Sequence, residues 1–364
     1  MISSDLLAQA IDSGRRLETA ETLWCLREAP ILALAELASA ARQRQVPGDR
    51  VTFVIDANPN YTNVCDTYCT FCSFFREAGD ADAYTHGVDA LLEKARAARA
   101  KGATRLLLQG GHNPALGLDY YLDLVRALRE GVPDLELHLF SPPEIRAIAG
   151  YTKLGVRRVL ERFFEAGLRT LPGGGAEILS ARVRRRISPR KGAPEEWIHV
   201  MRTAHEVGFR TTATMMYGHV ETDLDVIEHL GRLRALQDET GGFFAFIPWS
   251  FKPGASPLSR HVAREAGPAR YLRMLAVARL VLDNFAHVQA SWFSEGEKTG
   301  ELGLHFGADD FGGTLLEENV LRAAGHEEST SAERVVQVIR SAGFTPVQRN
   351  TLYQPLRVFE RNAA

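Results

Sequence analysis

From residue 51 onward, short apolar runs alternate with longer amphipathic stretches. The runs Val51–Ile55, Arg105–Leu108, Leu135–Phe140, Leu168–Leu171, Thr211–Met216, Phe243–Ile247 and Val288–Ser291 have the length and composition of buried strands. Between them, Val88–Ala100, Tyr120–Glu130, Glu195–Val207, Leu224–Glu239 and Tyr271–Asn284 carry apolar residues at helical spacing. Strands alternating with helices predict βαβ units and a parallel sheet. Six or more such units favour a TIM-type (β/α) barrel, full or partial, over a doubly wound sheet. Ahead of it, Leu6, Leu7, Ile11, Leu32, Leu34 and Leu37 predict amphipathic helices over residues 1–45. Ser331–Ala342 and Thr345–Gln348 predict an appended helix and strand. The expected organisation is an N-terminal helical segment over 1–48, a barrel core over 49–325 and a C-terminal extension over 326–364 packed on the barrel.

A barrel enzyme places its chemistry on the loops after the strands. Here those segments are rich in Gly, Pro and polar residues, as in Gln109-Gly-Gly-His-Asn-Pro114, Ser141-Pro-Pro-Glu144, Pro172-Gly-Gly-Gly-Ala-Glu177 and Tyr217-Gly-His-Val-Glu221. One such loop is an ordinary turn. Several on one rim point to a site.

Composition narrows the partners. The 364 residues are 45% hydrophobic and 24% charged with net charge −2, which provides no basic surface for nucleic acid. No apolar stretch reaches the ~20 residues of a membrane span, and the first residues lack a secretory layout. A cytoplasmic chain is expected.

The candidate chemistry is concentrated in Cys65-Asp-Thr-Tyr-Cys69-Thr-Phe-Cys72. Three thiolates are one short of the four that usually hold a [4Fe–4S] cube, so one iron keeps an open position, as catalytic metal sites do. The positions i, i+4, i+7 also fit a buried helical stripe, and a structural zinc site is the other plain alternative. Against the helix stand the many β-branched and aromatic neighbours and the Asn58-Pro59-Asn60 turn. Against zinc stands the lack of a second Cys pair; the remaining Cys25 sits among apolar residues and reads as core. A thiolate site implies a reducing compartment.

The C-x3-C-x2-C spacing, with Phe71 before the last Cys, resembles the radical S-adenosylmethionine (SAM) enzymes. In that family the open iron chelates SAM and an electron cleaves it to a 5′-deoxyadenosyl radical. The resemblance implies a SAM site built from Gln109, Gly110 and Gly111, whose paired glycines admit a ligand close to the backbone. Glu144 and Glu177, each after a strand and a tight turn, are candidates for the ribose diol, against the plain reading of first-turn acids. Gly218-His-Val-Glu221 resembles the segment that contacts adenine, which makes Gly218 and Glu221 candidates. His112 and His219 are the two of eleven histidines on the expected rim, and either suits proton transfer. The basic run Arg182–Arg186, leading to Ile187-Ser-Pro-Arg-Lys191, reads as a solvated face or as an arginine gripping a carboxylate.

Taken together, Asn63–Cys72, Leu107–Pro114, Leu171–Ile178, Arg186–Pro189, Thr211–Thr222, Gly241–Trp249 and Gly307–Gly313 are similar to a narrower family, the cyclic dehypoxanthine futalosine synthases of the futalosine route to menaquinone. That resemblance implies hydrogen abstraction from ribose C4′ of dehypoxanthine futalosine and closure onto its benzoate ring. It also implies a reductase or a flavodoxin- or ferredoxin-type electron donor. Aminofutalosine synthase and the deazaflavin-forming synthases share the Cys loop and stay open, as does a non-catalytic zinc- or cluster-binding scaffold.

Overall fold

The fold was obtained as a computed structural model, which describes residues 2–262, 264–326 and 329–360. Its strands are β1 (Arg50–Val54), β2 (Asp56–Ala57), β3 (Arg105–Leu108), β4 (Glu136–Leu139), β5 (Thr170–Leu171), β6 (Arg210–Tyr217), β7 (Phe243–Ser250), β8 (His287–Val288), β9 (Asp310–Gly313), β10 (Thr345–Arg349) and β11 (Pro355–Val358). Strands β2 to β8 form a seven-stranded sheet in chain order, every pair parallel. Helices cross over between them, as parallel pairing requires. The architecture is the α/β barrel type that the alternation predicts.

The run expected as one strand over Val51–Ile55 serves two sheets. Its first part, β1, pairs in parallel with β9 and β10, and β11 adds antiparallel to β10. After Ile55 the same chain joins β3 as β2. At the other edge, Ala290 donates its N–H to Asp310 (2.7 Å) and Asp309 to Val288 (3.1 Å). The two edges of the large sheet are thus connected through β9 and β1, and the C-terminal strand β10 is hydrogen-bonded into that connection.

Two helices absent from the expected pattern, Pro142–Thr152 and Val156–Glu165, lie between β4 and β5. Pro142 starts the first at a position where its missing N–H is no loss, behind the Ser141/Glu144 capping box. Lys153 in left-handed backbone (φ 55°) ends it, and Gly155 caps the second. Val159, Leu160 and Phe163 are fully buried, each contributing ~1.5–3 kcal/mol. The N-terminal helices Ser4–Asp12, Thr19–Arg27 and Ile31–Gln45 pack outside the barrel, the latter two on helix Pro268–Val281. Cys25 is fully buried there, and its carbonyl accepts from Arg273 (2.6 Å). Among the described residues no helix is long and apolar enough to cross a membrane.

Candidate active site

The cysteine loop leaves β2 and folds by turns and isolated bridges rather than as a helix. Thr62 bridges Thr85 and Val64 bridges Arg76. The Asn63 side chain accepts from Tyr84 N–H (2.7 Å) and donates to the Asp82 carbonyl (2.9 Å), while Arg76 donates to the carbonyls of Ser73 (3.1 Å) and Phe75 (2.9 Å). Tyr68 sits in left-handed backbone (φ 51°), which breaks any helical run between the thiols. Cys65, Cys69 and Cys72 are free, and all three line one cavity of about 340 Å³. Burial pushes the Cys69 thiol up to about 12 and raises Cys72 as well, so a metal that binds there must displace protons.

The loop after β3 presses against this one. A Cβ on Gly111 would lie 2.2 Å from the Val64 carbonyl oxygen and 3.0 Å from the Cys65 Cβ. A Cβ on Gly110 would meet the Tyr61 ring at 2.7 Å. The backbone ties are equally close: Gly111 N–H donates to Thr62 (2.9 Å) and Asp66 N–H to His112 (3.1 Å). Gln109, Gly110, Gly111 and His112 therefore reach the cavity next to the cysteines. Among the described residues the Gln109 carboxamide has no hydrogen-bond partner, whereas His112 is held through Nδ1 by the Thr67 hydroxyl (2.7 Å). Burial, with Lys191 and Arg146 nearby, drops the His112 pKa to about 3, so the ring is neutral at pH 7.

Glu144 lines the cavity, but its carboxylate is spent on the protein. One oxygen accepts from the Tyr61 hydroxyl (2.7 Å) and Gly110 N–H (3.0 Å), the other from Ser141 N–H (2.7 Å) and hydroxyl (2.5 Å). It anchors the Gly110 turn to a helix N-terminus. Glu177 is buried in left-handed backbone (φ 44°). Burial raises its pKa, but the Lys191 ammonium at 2.6 Å and Arg184 outweigh that and hold it below the ordinary carboxylate range.

Of the basic run, it is the lysine that reaches the cavity. Arg184 is buried and spends Nε, Nη1 and Nη2 on the carbonyls of Gly192, Gly175, Ala176 and Lys191, clamping the Gly173–Gly175 turn. Arg182 binds Asp225 and the Val220 carbonyl. Lys191, with its ammonium 5.0 Å from the centre of the Phe71 ring, faces the cysteine loop.

Gly218, His219 and Glu221 are placed otherwise than expected, since none lines the cavity. Gly218 turns the chain at φ 86°, and Glu221 folds back to accept from the N–H groups of Gly218 (2.6 Å) and His219 (2.9 Å). The His219 ring accepts from Val220 N–H through Nδ1 (2.7 Å) and donates from Nε2 to the Met216 carbonyl (2.9 Å). With both ring nitrogens occupied, it has no atom left to move a substrate proton.

The deep end of the cavity holds residues that motif reading did not single out: Arg105, His138, Gln289, Arg349 and Tyr353. The available signal was a polar residue inside an apolar strand, as in Leu137-His-Leu139. Phe71, Phe74, Phe75, Trp249 and Phe293 form the apolar wall.

The donor set fits an iron–sulfur cluster. Three unpaired thiols border one cavity, yet among the described residues no three His, Cys, Asp or Glu side chains converge as around a single ion. That spacing suits a multi-iron cube rather than one zinc.

Comparison with known proteins agrees with this geometry. Residues 59–233 match the radical SAM superfamily and residues 240–362 the CofH/MqnC C-terminal region. The chain is 39% identical over 363 residues to the cyclic dehypoxanthine futalosine synthase of Halalkalibacterium halodurans, covering 100% of this chain and 98% of the relative. It is 43% identical over 320 residues to the 5-amino-6-(D-ribitylamino)uracil–L-tyrosine 4-hydroxyphenyl transferase of Methanopyrus kandleri, covering 86% of this chain and 87% of that one. The solved structure of the FeFe-hydrogenase maturase HydG from Carboxydothermus hydrogenoformans superposes with a TM-score of 0.73 at 16% identity, over 96% of this chain and 80% of that chain.

Proposed function

The chain belongs to the radical SAM superfamily, in the group that carries the CofH/MqnC C-terminal region, and from that premise we propose that it cyclises dehypoxanthine futalosine to cyclic dehypoxanthinyl futalosine on a futalosine route to menaquinone. The observation that carries the enzyme reading is the convergence of three free thiols and the Gly110-Gly111 turn on one cavity. When bound, a [4Fe–4S] cluster on Cys65, Cys69 and Cys72 together with SAM supplies the one-electron chemistry that removes a hydrogen atom from ribose C4′.

The chain's own residues bind, orient and shield. Gln109, Gly110 and Gly111 offer a free carboxamide and close backbone to SAM, and Glu144 keeps that turn in place through four hydrogen bonds. The Glu177–Lys191 pair sets fixed charges against the cysteine loop. Phe71, Phe74, Phe75, Trp249 and Phe293 exclude water from a reaction that side reactions with solvent would quench. His112 is on the cavity, but with its pKa dropped to about 3 it is a weak base, suited to hydrogen-bonding substrate rather than to taking the proton that leaves, with an electron, when the ring is joined. A flavodoxin- or ferredoxin-type protein is the expected electron source.

Relatives with another reaction favour testing a second reading, transfer of a tyrosine-derived 4-hydroxyphenyl group to 5-amino-6-(D-ribitylamino)uracil. Relatives of both kinds span nearly the whole chain, so the cyclase reading is preferred on the Gly110-Gly-His-Asn-Pro114 loop instead. The test is anaerobic turnover of the reconstituted, reduced enzyme with SAM and dehypoxanthine futalosine deuterated at C4′. A product two hydrogens lighter than unlabelled substrate, with deuterium in 5′-deoxyadenosine, supports the cyclase. SAM cleavage without that product, and product formation with the uracil and L-tyrosine instead, overturns it.

A further inference from the structure

The interior of a closed barrel is ordinarily filled by branched apolar side chains. Here the deep end of the cavity is polar, and one cation in it is left under-used. Arg105 is 6% exposed, and of its three side-chain nitrogens only Nη2 is engaged, on Asp56 at 2.5 Å. Among the described residues its Nε is buried without a partner, and Nη1 makes no hydrogen bond. Arg184, Arg279 and Arg349, also deeply buried, each engage all three nitrogens, and Arg42, away from the cavity, leaves only Nε unpaired. Unpaired guanidinium donors in a buried site are expensive, so their retention beside a cavity points to a ligand acceptor. Asp56 does not need the rest of Arg105, because its other oxygen accepts from Leu315 N–H (2.9 Å).

Gln289 is the second free group. It is 8% exposed, and among the described residues its carboxamide makes no hydrogen bond. It lies against Gly312, where a Cβ would come within 2.9 Å of its Nε2. Around these two donors stand rings. Phe244, 6% exposed, lies 5.9 Å from His138 and 6.0 Å from Tyr353. The Thr170 hydroxyl donates to the Leu137 carbonyl and therefore accepts from His138 Nδ1–H (2.9 Å each). Burial, with Arg105 and Arg349 close by, keeps that imidazole neutral, so it acts as a third ring face rather than a second cation.

We propose that this deep end is a subsite for an aryl carboxylate, its carboxylate taken by the free Nη1 of Arg105 and the carboxamide of Gln289 and its ring lying against Phe244. The inference rests on the cyclase reading for the identity of the substrate, whose benzoate end would then lie deep and whose pentose would face the cysteine loop. The pocket chemistry stands on its own observations.

The test is calorimetric binding to the anaerobically reconstituted full chain, with 3-acetylbenzoate and acetophenone as probes that differ only in the carboxylate. The expected result is at least about tenfold tighter binding of the acid, the scale of hydrogen bonds to a charged group. Gln289→Leu and Arg105→Lys should each weaken the acid about tenfold and leave acetophenone unchanged. Among the described residues the Gln289 carboxamide has no partner to lose, and Arg105→Lys keeps a cation for Asp56; should the latter misfold, Gln289→Leu decides alone. Equal affinity for both probes, no effect of Gln289→Leu, or binding of L-tyrosine but not of the acid overturns the subsite. If dehypoxanthine futalosine is turned over yet the probes bind alike, the subsite falls and the cyclase stands. If acid binding depends on Gln289 but no dehypoxanthine futalosine is converted, the subsite stands and the cyclase falls.

Discussion

Gly111→Ala should damage cluster assembly more than it damages the fold. The added Cβ would sit 2.2 Å from the Val64 carbonyl oxygen, 2.7 Å from its carbon and 3.0 Å from the Cys65 Cβ. Ordinary contact is ~3.5–4 Å, and the obstacle is backbone, so no rotamer change relieves it. The cysteine loop must retreat by about an ångström, and overpacking of this kind destabilises by about 1–3 kcal/mol. In a chain of this size that is roughly 2–6 °C in Tm. The sharper consequence is local, because Cys65 moves with Val64 while Cys69 is held elsewhere, through Thr70 N–H on the Ile187 carbonyl (2.9 Å). Iron and sulfide content after anaerobic reconstitution should fall to less than about half of wild type, with calorimetry reporting the modest Tm loss. Gly150→Ala is the matched control, since nothing lies within 4 Å of its Cβ and it sits in helix Pro142–Thr152, where alanine stabilises by about 0.5–1 kcal/mol. A Gly111→Ala protein with wild-type Tm and full iron content would refute the claim that the two loops are in obligatory contact.

Three further outcomes follow from the same contacts. Cys69→Ser and Cys72→Ser, read by iron content and by far-ultraviolet circular dichroism, should lose the cluster while keeping the fold, because neither thiol is bonded to another. Lys191→Met strands a buried Glu177 carboxylate and should cost about 3–5 kcal/mol in urea unfolding, with Glu177→Gln added on top recovering much of it. Stability should fall as pH drops from about 6.5 towards 5, because His112, His205 and His229 have folded pKa values lowered by burial to about 3, 4 and 3. The unfolded chain binds those protons first, so each ring contributes up to ~1.4 kcal/mol per pH unit in that window. His205→Gln should flatten the slope measured by denaturation at pH 5 and pH 7, and an unchanged slope would contradict its buried, neutral state.

Much of the barrel was readable because period and length encode it. Strand Arg105–Leu108 coincides with its expected bounds, and helix Val88–Ala100 does so too. The helix pair between Pro142 and Glu165 was missed because the Pro-Pro-Glu signal, which opens a helix at N1, was read as a rim loop. The passage from β1 to β2 at Ile55 left no local trace, since no Gly or Pro interrupts Val51–Ala57.

By itself, the sequence determined the thiol chemistry and the alternating α/β plan, since residue spacing and hydrophobic period are local properties. Only the tertiary structure decided which polar groups remain free. Glu144 and Arg184 look available in sequence but are consumed by Tyr61, Gly110 and a ring of carbonyls. Gln289 and the spare nitrogens of Arg105 look ordinary and are left facing the cavity, where Lys191 is already paired with Glu177. Whether a donor is already satisfied depends on partners far along the chain, such as Asp56 with Arg105 and Asp310 with Arg349. Long-range pairing of that kind exists only once the barrel has wrapped.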